Sequence, residues 1–416
     1  MKFSVTKQEM QEKLSNIQNI VEKKNTMPIL SHFLLSAEKK DSYIIATDLE
    51  TALKEPIDIE LKEEGKICIP ARKLFEIVRE IEGDLFFESI DEQWIKVIAG
   101  NSNFRLACLP PNEFPVWPEL SPTSGIEGEE IEEIDIASSQ LHEMIEKTIY
   151  SAGESDTRYT LNGLLFHVTA LSGLAEKNGS KHDAEHRMQH ILTVVGTDGH
   201  RLALIKALCF VRSAKAETIP QYTERKMIVP KKALSEIRRF LSSSGGLNRE
   251  EEEEVKIYIG KNYILLNVSG IKFLTRLIEG TYPNYEQVIP LSNEIKISLN
   301  REAFIKALRR VSVMSRERAN AVRIDFGDNI LTILSSNPDI GEAKEELAIL
   351  STSSSSGGVD LSIGFNARYL IEALSAINSE NVMLEIQDPL SSTLLCPASG
   401  REEDENYKCV IMPMRI

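Results

Sequence analysis

The chain is 416 residues long, 42% hydrophobic and 27% charged, with a net charge of −15 at pH 7. That length exceeds one ordinary core and predicts two to three domains, and the composition is that of a soluble globular protein. By its sum the acidity argues against a nucleic-acid partner. No signal peptide is expected from the mixed polar opening Met1–Met10, and polar residues interrupt Tyr159–Ala175 too often for a membrane span. Cys68, Cys108, Cys209, Cys396 and Cys409 lie far apart without metal-ligand spacing, which predicts reduced thiols in a cytosolic protein.

In chain order, Met1–Val5 alternates as a strand, and Lys7–Lys24 carries Met10, Leu14, Ile17, Ile20 and Val21 at helical spacing. Strands are expected at Leu30–Ala37 and Tyr43–Thr47, with a turn at Thr47-Asp48-Leu49-Glu50. Pro70 opens a helix at Ala71–Ile81, followed by strands at Leu85–Ser89, Trp94–Ala99 and Phe104–Leu109 and by Phe114-Pro115-Val116-Trp117. The order then recurs. Ile134–Ile136 precedes a helix at Ser138–Ser151, strands at Tyr159–His167 and Ile191–Val195, and the turn Thr197-Asp198-Gly199-His200, where Gly tolerates positive φ. Leu202–Ile205 follows as a strand, then a helix at Lys231–Leu241, three strands between Val255 and Ile278, and Tyr282-Pro283-Asn284-Tyr285. The third pass places helices at Arg301–Met314 and Ala367–Ile377, a turn at Ser336-Asn337-Pro338-Asp339, and a last strand running into Met412-Pro413-Met414.

The best internal match lies at Ile69-Pro70-Ala71-Arg72-Lys73-Leu74, Val229-Pro230-Lys231-Lys232-Ala233-Leu234 and Phe365-Asn366-Ala367-Arg368-Tyr369-Leu370. Three copies with the same flanking order predict a triplicated α+β unit of two helices and about eight strands. The unit boundaries are expected at 1–128, 129–290 and 291–416, with polar inserts at 172–190, 242–254 and 400–407 reading as exposed loops. The six predicted helices (7–24, 71–83, 138–151, 230–242, 300–318, 366–378) hold 19 Lys and Arg against 12 Asp and Glu. They sum to +7 and leave −22 for everything else, so the net acidity hides a basic helical layer able to meet phosphates.

No dinucleotide fingerprint, phosphate loop, nucleophile elbow or H-E-x-x-H is present. Asp198 and His200 suggest an acid/base pair, but the histidine is not repeated in the sister turns, which favours a structural turn over catalysis. His182, His186 and His190 have the i, i+4, i+8 spacing of ligands on one helix face, yet no carboxylate pattern supports them. No cofactor and no metal are expected.

Met1–Val5, Met27-Pro28-Ile29-Leu30, Ala46–Glu50, Pro70–Lys73, Leu161–Phe166, Thr197–Leu202 and Met412–Ile416, as an ordered set, make the chain similar to the bacterial DNA polymerase III β subunit, the sliding clamp. The resemblance implies three domains of the DNA-clamp fold and a head-to-tail homodimeric ring with helices lining the hole. It implies a non-catalytic processivity factor around double-stranded DNA, held without sequence preference. Its partners would be the replicative polymerase catalytic subunit, a clamp loader and other proteins bearing clamp-binding motifs. By resemblance, Lys24, Arg72, Tyr159, Lys232, Asn366 and Tyr369 face DNA. A partner-peptide cleft comprises Leu161, Thr197, Gly199, His200, Arg201, Leu202, Pro283, Val288, Leu390, Ser392, Met412, Pro413, Met414 and Arg415. The resemblance pairs Phe104 and Leu106 of one protomer with Val313 and Met314 of the other, with Lys73 nearby. The alternatives are a phosphoryl-processing enzyme using Asp198 and His200, and a peptide-binding scaffold without DNA.

Overall fold

The computed structural model describes residues 1–21, 27–117, 131–154, 156–170, 187–212, 224–244, 253–290, 293–315, 320–327, 329–354, 359–398 and 406–415. Lys24, His182, His186, Ile416 and most of the three inserts lie outside them. The first unit runs β1 (Lys2–Val5), α1 (Lys7–Ile17), β2 (His32–Ala37), β3 (Tyr43–Thr47), β4 (Thr51–Pro56), β5 (Glu60–Glu63), β6 (Gly65–Pro70), α2 (Ala71–Glu80), β7 (Leu85–Ser89), β8 (Trp94–Ala99) and β9 (Ser102–Ala107). The second runs β10 (Glu132–Ala137), α3 (Ser138–Glu146), β11 (Gly163–Ala170), β12 (Arg187–Thr197), β13 (Arg201–Arg212), β14 (Glu224–Pro230), α4 (Lys231–Ser244), β15 (Glu254–Ile259), β16 (Tyr263–Val268) and β17 (Ile271–Arg276). The third runs β18 (Ile295–Asn300), α5 (Arg301–Ser312), β19 (Ala321–Phe326), β20 (Ile330–Asn337), β21 (Gly341–Ala348), β22 (Ser351–Ser353), β23 (Leu361–Asn366), α6 (Ala367–Ser375), β24 (Asn381–Ile386), β25 (Thr393–Pro397) and β26 (Tyr407–Ile411).

Each unit pairs its two helices, α1 with α2, α3 with α4 and α5 with α6. They pack through stripes spaced as a helix demands, such as Met10, Leu14 and Ile17 on α1, and Phe304, Leu308 and Val311 on α5. Lys13 sits in the α1 stripe, paired at 2.9 Å with the fully buried Glu55 carboxylate, which Asn16 also holds. Burial works against the lysine's charge, but the hydrogen bond and charge of Glu55 outweigh it and leave the pKa raised.

The repeat is visible bond by bond. Cys68 exchanges backbone hydrogen bonds with Leu109, Ile228 accepts from Ile278 at 2.9 Å, and Gly364 accepts from Met414 at 2.8 Å. The units join by strand addition. β4 of the first unit pairs antiparallel with β17 of the second, Thr51 opposite Thr275; β13 pairs with β26 of the third, Arg201 opposite Ile411. Both junctions end in the same bond: the Arg276 amide donates to Glu50 O and the Met412 amide to His200 O, each at 2.9 Å. One 17-stranded sheet thus runs through all three units. The remaining strands form two smaller sheets, β5-β1-β7-β8-β9 and β21-β20-β19-β23, and β9 and β21 stand at their edges.

Several expectations are corrected. Tyr159–Asn162 is a 3-10 turn, with the strand beginning only at Gly163, because the Asn162 side chain ties back to Asp156 and Leu161 O accepts from Gly153. The α3 helix ends at Glu146, where the Thr148 hydroxyl turns back on Met144 O at 2.6 Å and a 3-10 turn takes over. β12 begins at Arg187, inside the segment read as a loop, so His190 is on a strand and not on a helix face. β21 and β22 carry no apolar alternation: β21 is an edge strand that exposes its Glu-rich alternate residues to solvent, and β22 is the three-residue Ser351–Ser353.

Removing one partner of a buried ion pair strands the other charge, at a cost of about 3–5 kcal/mol. Lys13→Met is therefore expected to lower stability by about that amount in urea denaturation. The double variant Lys13→Met, Glu55→Met should recover most of the loss; an additive, larger loss would show that the pair is not the cause.

Candidate functional site

At the junction of the second and third units, a cavity of about 130 Å³ opens between the β12–β13 turn, the segment after β17 and the chain end. It brings together Leu161, Thr197, Gly199, Arg201, Leu202, Pro283, Val288 and Met412, all expected there, with Arg158, Tyr285 and Val410, which were not. The turn explains the geometry. The Thr197 hydroxyl donates to Arg201 O and accepts from the Gly199 amide, while Asp198 Oδ1 accepts from the His200 and Arg201 amides. Gly199 has φ +85, and Arg158 packs against it at distances a Cβ would violate. Arg158 spans Asp156 and Asp198 O, and its hydrogen bonds hold the Asp156 carboxyl down at about 2. Burial pushes the Tyr285 phenol up to about 12, so the cleft wall presents a neutral hydroxyl, bonded to His167 Nδ1 at 2.8 Å.

The other expected cleft residues lie around this cavity. Ser392 reaches Val288 O at 3.4 Å, Leu390 is 79% exposed, Arg415 is exposed, and Met414 is held on Gly364 with Pro413 before it. His200 is not among the residues lining the cavity and stacks on Tyr369, ring centroids 6.4 Å apart. Arg201 has a structural part that the sequence did not announce. Nearly buried, it pairs with Asp198 and Glu372, donates to Tyr150 O at 2.6 Å and lies 4.5 Å over the Tyr369 ring, so it locks the second unit to the third. Glu372 is pushed up by burial, but the hydrogen bonds of Arg368 and Arg201 bring it below the ordinary carboxylate range.

The residues expected to face DNA divide into two groups. Arg72 and Lys232 occupy the same repeat position near the start of the second helix of their units, where Arg368, missed before, stands in the third. Lys232 bridges to Asp48 at 2.6 Å across the first junction, and Arg368 pairs with Glu372 at 2.7 Å. Tyr159 is exposed. Asn366 caps α6, accepting from the Arg368 and Tyr369 amides, and Tyr369 is half-buried at the second junction against Arg201. Of the residues assigned to the ring interface, Val313 is 74% exposed, Met314 and Phe104 are half-buried, and Lys73 pairs with Glu76. Leu106 is already buried in its own core, which leaves its side chain little free surface.

Asp198 and His200 do not form an acid/base pair: the carboxylate is spent on the turn amides and on Arg201, and the imidazole is stacked elsewhere. His190 is buried with Nδ1 on Met188 O at 3.1 Å. Among the described residues no group of three His, Cys, Asp or Glu is placed to hold a metal. Burial pushes the Cys68, Cys108 and Cys209 thiols up to about 12, which makes them poor nucleophiles. No described helix is long and apolar enough to cross a membrane.

Family models of the DNA polymerase III beta subunit match three successive stretches: the N-terminal domain at 1–118, the central domain at 135–284 and the C-terminal domain at 286–415. The beta sliding clamp of Pseudomonas putida is 31% identical over 418 residues, covering 100% of both chains. That of Caulobacter vibrioides is 30% identical over 420 residues with the same coverage. Among solved structures, the sliding clamp (DNA polymerase III subunit beta) of Pseudomonas aeruginosa bound to griselimycin aligns with a TM-score of 0.82 at 30% identity over 100% of each chain. The Bartonella birtlesii clamp bound to griselimycin aligns at 0.82 and 29%, again over the full length of both. Matched from end to end in sequence and in three-unit architecture, this chain belongs to the DNA polymerase III beta subunit, or beta sliding clamp, family.

Proposed function

We propose that this chain is a non-enzymatic processivity factor: two copies close head to tail around duplex DNA, and the ring tethers the replicative polymerase. The observation that supports it most is the pair of sheet edges left over after the two internal junctions. β9 and β17 end matching hairpins, and β21 follows the third turn as β4 and β13 follow theirs. One protomer therefore offers one edge of each kind, and edges of unlike kind on two copies make a heterologous contact that closes as a ring. Carrying over the internal register puts Phe104 opposite Ala343 and Arg105 opposite Glu342 of the second copy, with Val313 exposed nearby on the segment after α5.

The unit boundaries are placed at 1–128, 129–290 and 291–416. The helices supply the DNA-facing wall, with Arg72, Lys232, Arg368, Tyr159 and, outside the described residues, Lys24 as phosphate contacts. Asn366 and Tyr369 hold the start of α6 and its junction in shape. Lys232 pairs with the buried Asp48 carboxylate, but Lys73, Arg238 and Lys306 have exposed carboxylate partners. Such exposed pairs are worth only ~0–1 kcal/mol, so phosphates can displace them at little cost, giving loose contact without sequence preference. The cavity between the second and third units receives short apolar peptides of polymerase, clamp-loader and other partner subunits. Leucine, valine and proline give it shape and the adaptable Met412 lets it accept related sequences. The setting of this chemistry is the bacterial cytoplasm. The turn commits Asp198 to backbone amides and Arg201 and stacks His200 on Tyr369, which gives a phosphoryl-processing enzyme no acid/base pair.

A loaded ring should remain on circular DNA and leave linear DNA by its ends; equal retention on both would contradict topological binding. Arg105→Glu should convert a species sedimenting at about twice 46.7 kDa into one near 46.7 kDa. The swap Arg105→Glu, Glu342→Arg should restore the dimer, and failure of that rescue would refute the inferred register. Met412→Asp and Val288→Asp should each weaken polymerase binding at least about tenfold, roughly the loss of one interface anchor, with the dimer intact by sedimentation.

A further inference from the structure

The junction of the first and second units repeats, hydrogen bond for hydrogen bond, the turn that builds the cleft between the second and third. The Thr47 hydroxyl donates to Thr51 O and accepts from the Leu49 amide, and Asp48 Oδ1 accepts from the Glu50 and Thr51 amides. Those bonds match Thr197, Gly199, Asp198, His200 and Arg201 one for one. A cavity of about 210 Å³ lies at this first junction. Thr47, Leu49, Thr51, Ala52 and Leu274 line it at the positions where Thr197, Gly199, Arg201, Leu202 and Val410 line the other. Phe114 and Pro115 stand where the second unit has Tyr282 and Pro283.

The differences between the two cavities point to a use. Leu49 holds φ +77, a left-handed conformation its sister position gives to glycine, and there its side chain is 51% exposed at the cavity mouth. Val116 is 91% exposed beside it, and Trp117 is half-buried in the wall. A turn that keeps leucine in an unfavourable backbone, displayed to solvent next to valine and tryptophan, does not serve its own core. The cavity is smaller than the roughly 300–1,000 Å³ of small-molecule sites, which suits one or two anchor side chains of an extended peptide. Among the described residues Glu50 is the single charged one lining it, whereas the other cavity carries Arg158 and Arg201, already engaged by Asp156, Asp198 and Glu372, so the charge offered to a ligand differs between the two sites.

We infer that the Leu49–Val116–Trp117 cavity is a second docking site, taking a short linear peptide with an aliphatic-aromatic anchor flanked by lysine or arginine. This extends the reading of the other cleft as a peptide site, and the test separates the two. Trp94 and Trp117 are the only tryptophans, so full-length Trp94→Phe protein leaves Trp117 as a reporter inside the cavity. The probe is the synthetic peptide Lys-Lys-Gly-Leu-Phe-Gly amide, unlabelled for Trp117 emission and fluorescein-labelled for anisotropy.

A saturable change in Trp117 emission is expected. Leu49→Gly, which suits the backbone better than leucine, and Val116→Asp, at a fully exposed position, should each weaken it at least tenfold without lowering the melting temperature. Glu50→Lys should weaken binding of this peptide and favour a version with glutamates in place of the lysines. The proposal is overturned if folded protein shows no saturable change at millimolar peptide, or if the change survives Leu49→Gly and Val116→Asp. It is also overturned if anisotropy rises while Trp117 stays silent and Val288→Asp abolishes the rise. That last result would leave the cleft between the second and third units standing and remove this one.

Discussion

A strand at the edge of a sheet carries backbone donors and acceptors that need partners. At two such edges here the partner is the next repeat. β4 takes β17, β13 takes β26, and the same terminal amide-to-carbonyl bond closes each pairing. This shared use of the backbone makes the junctions alike although their side chains differ. Lys232 and Asp48 brace the first junction, Arg201 with Glu372 and two tyrosine rings the second. It also leaves β9 and β21 as complementary ends, so the demand that joins the units within one chain calls for a second chain.

The turn preceding each junction strand is the second recurrent device. A threonine or asparagine side chain accepts from the amide two residues on, in Thr47, Thr197 and Asn337 alike. Because the turn projects beside the joined strands, every junction has a recess next to it, and side-chain choice decides what the recess is for. Glycine at 199 lets Arg158 lie against the backbone and give one recess a basic rim, whereas leucine at 49 gives the other an apolar lip. Function has been varied on a fixed frame, as expected where scaffold and site are separable.

The charge distribution fits the same economy. The net −15 would repel a polyanion if it were spread evenly, but the helices carry the basic excess and the strands and loops the acid. Exposed ion pairs on the helices do not cancel this, since they trade partners cheaply with phosphate, while Lys13–Glu55 and Lys232–Asp48, whose carboxylates are buried, do not.

The triplication, the six helices and the turn at Thr197–His200 were legible in the residues, because helical stripes and polar turns are local signals and the stripes recurred in the same order. The family motifs likewise named most of the residues lining the second cleft. What stayed hidden was set by contacts distant in sequence. Arg158, Tyr285 and Val410 join the cleft only because three segments converge there, and Arg201 is a bolt between units because Glu372 lies 171 positions away. Glu-rich β21 showed no apolar alternation, since an edge strand awaiting a partner has little core of its own to face. Local propensity and periodicity thus determined what the repeated unit is. Only the tertiary structure decided which edges are used up and which remain open, because strand pairing is made by backbone groups that every residue carries and no side-chain pattern records.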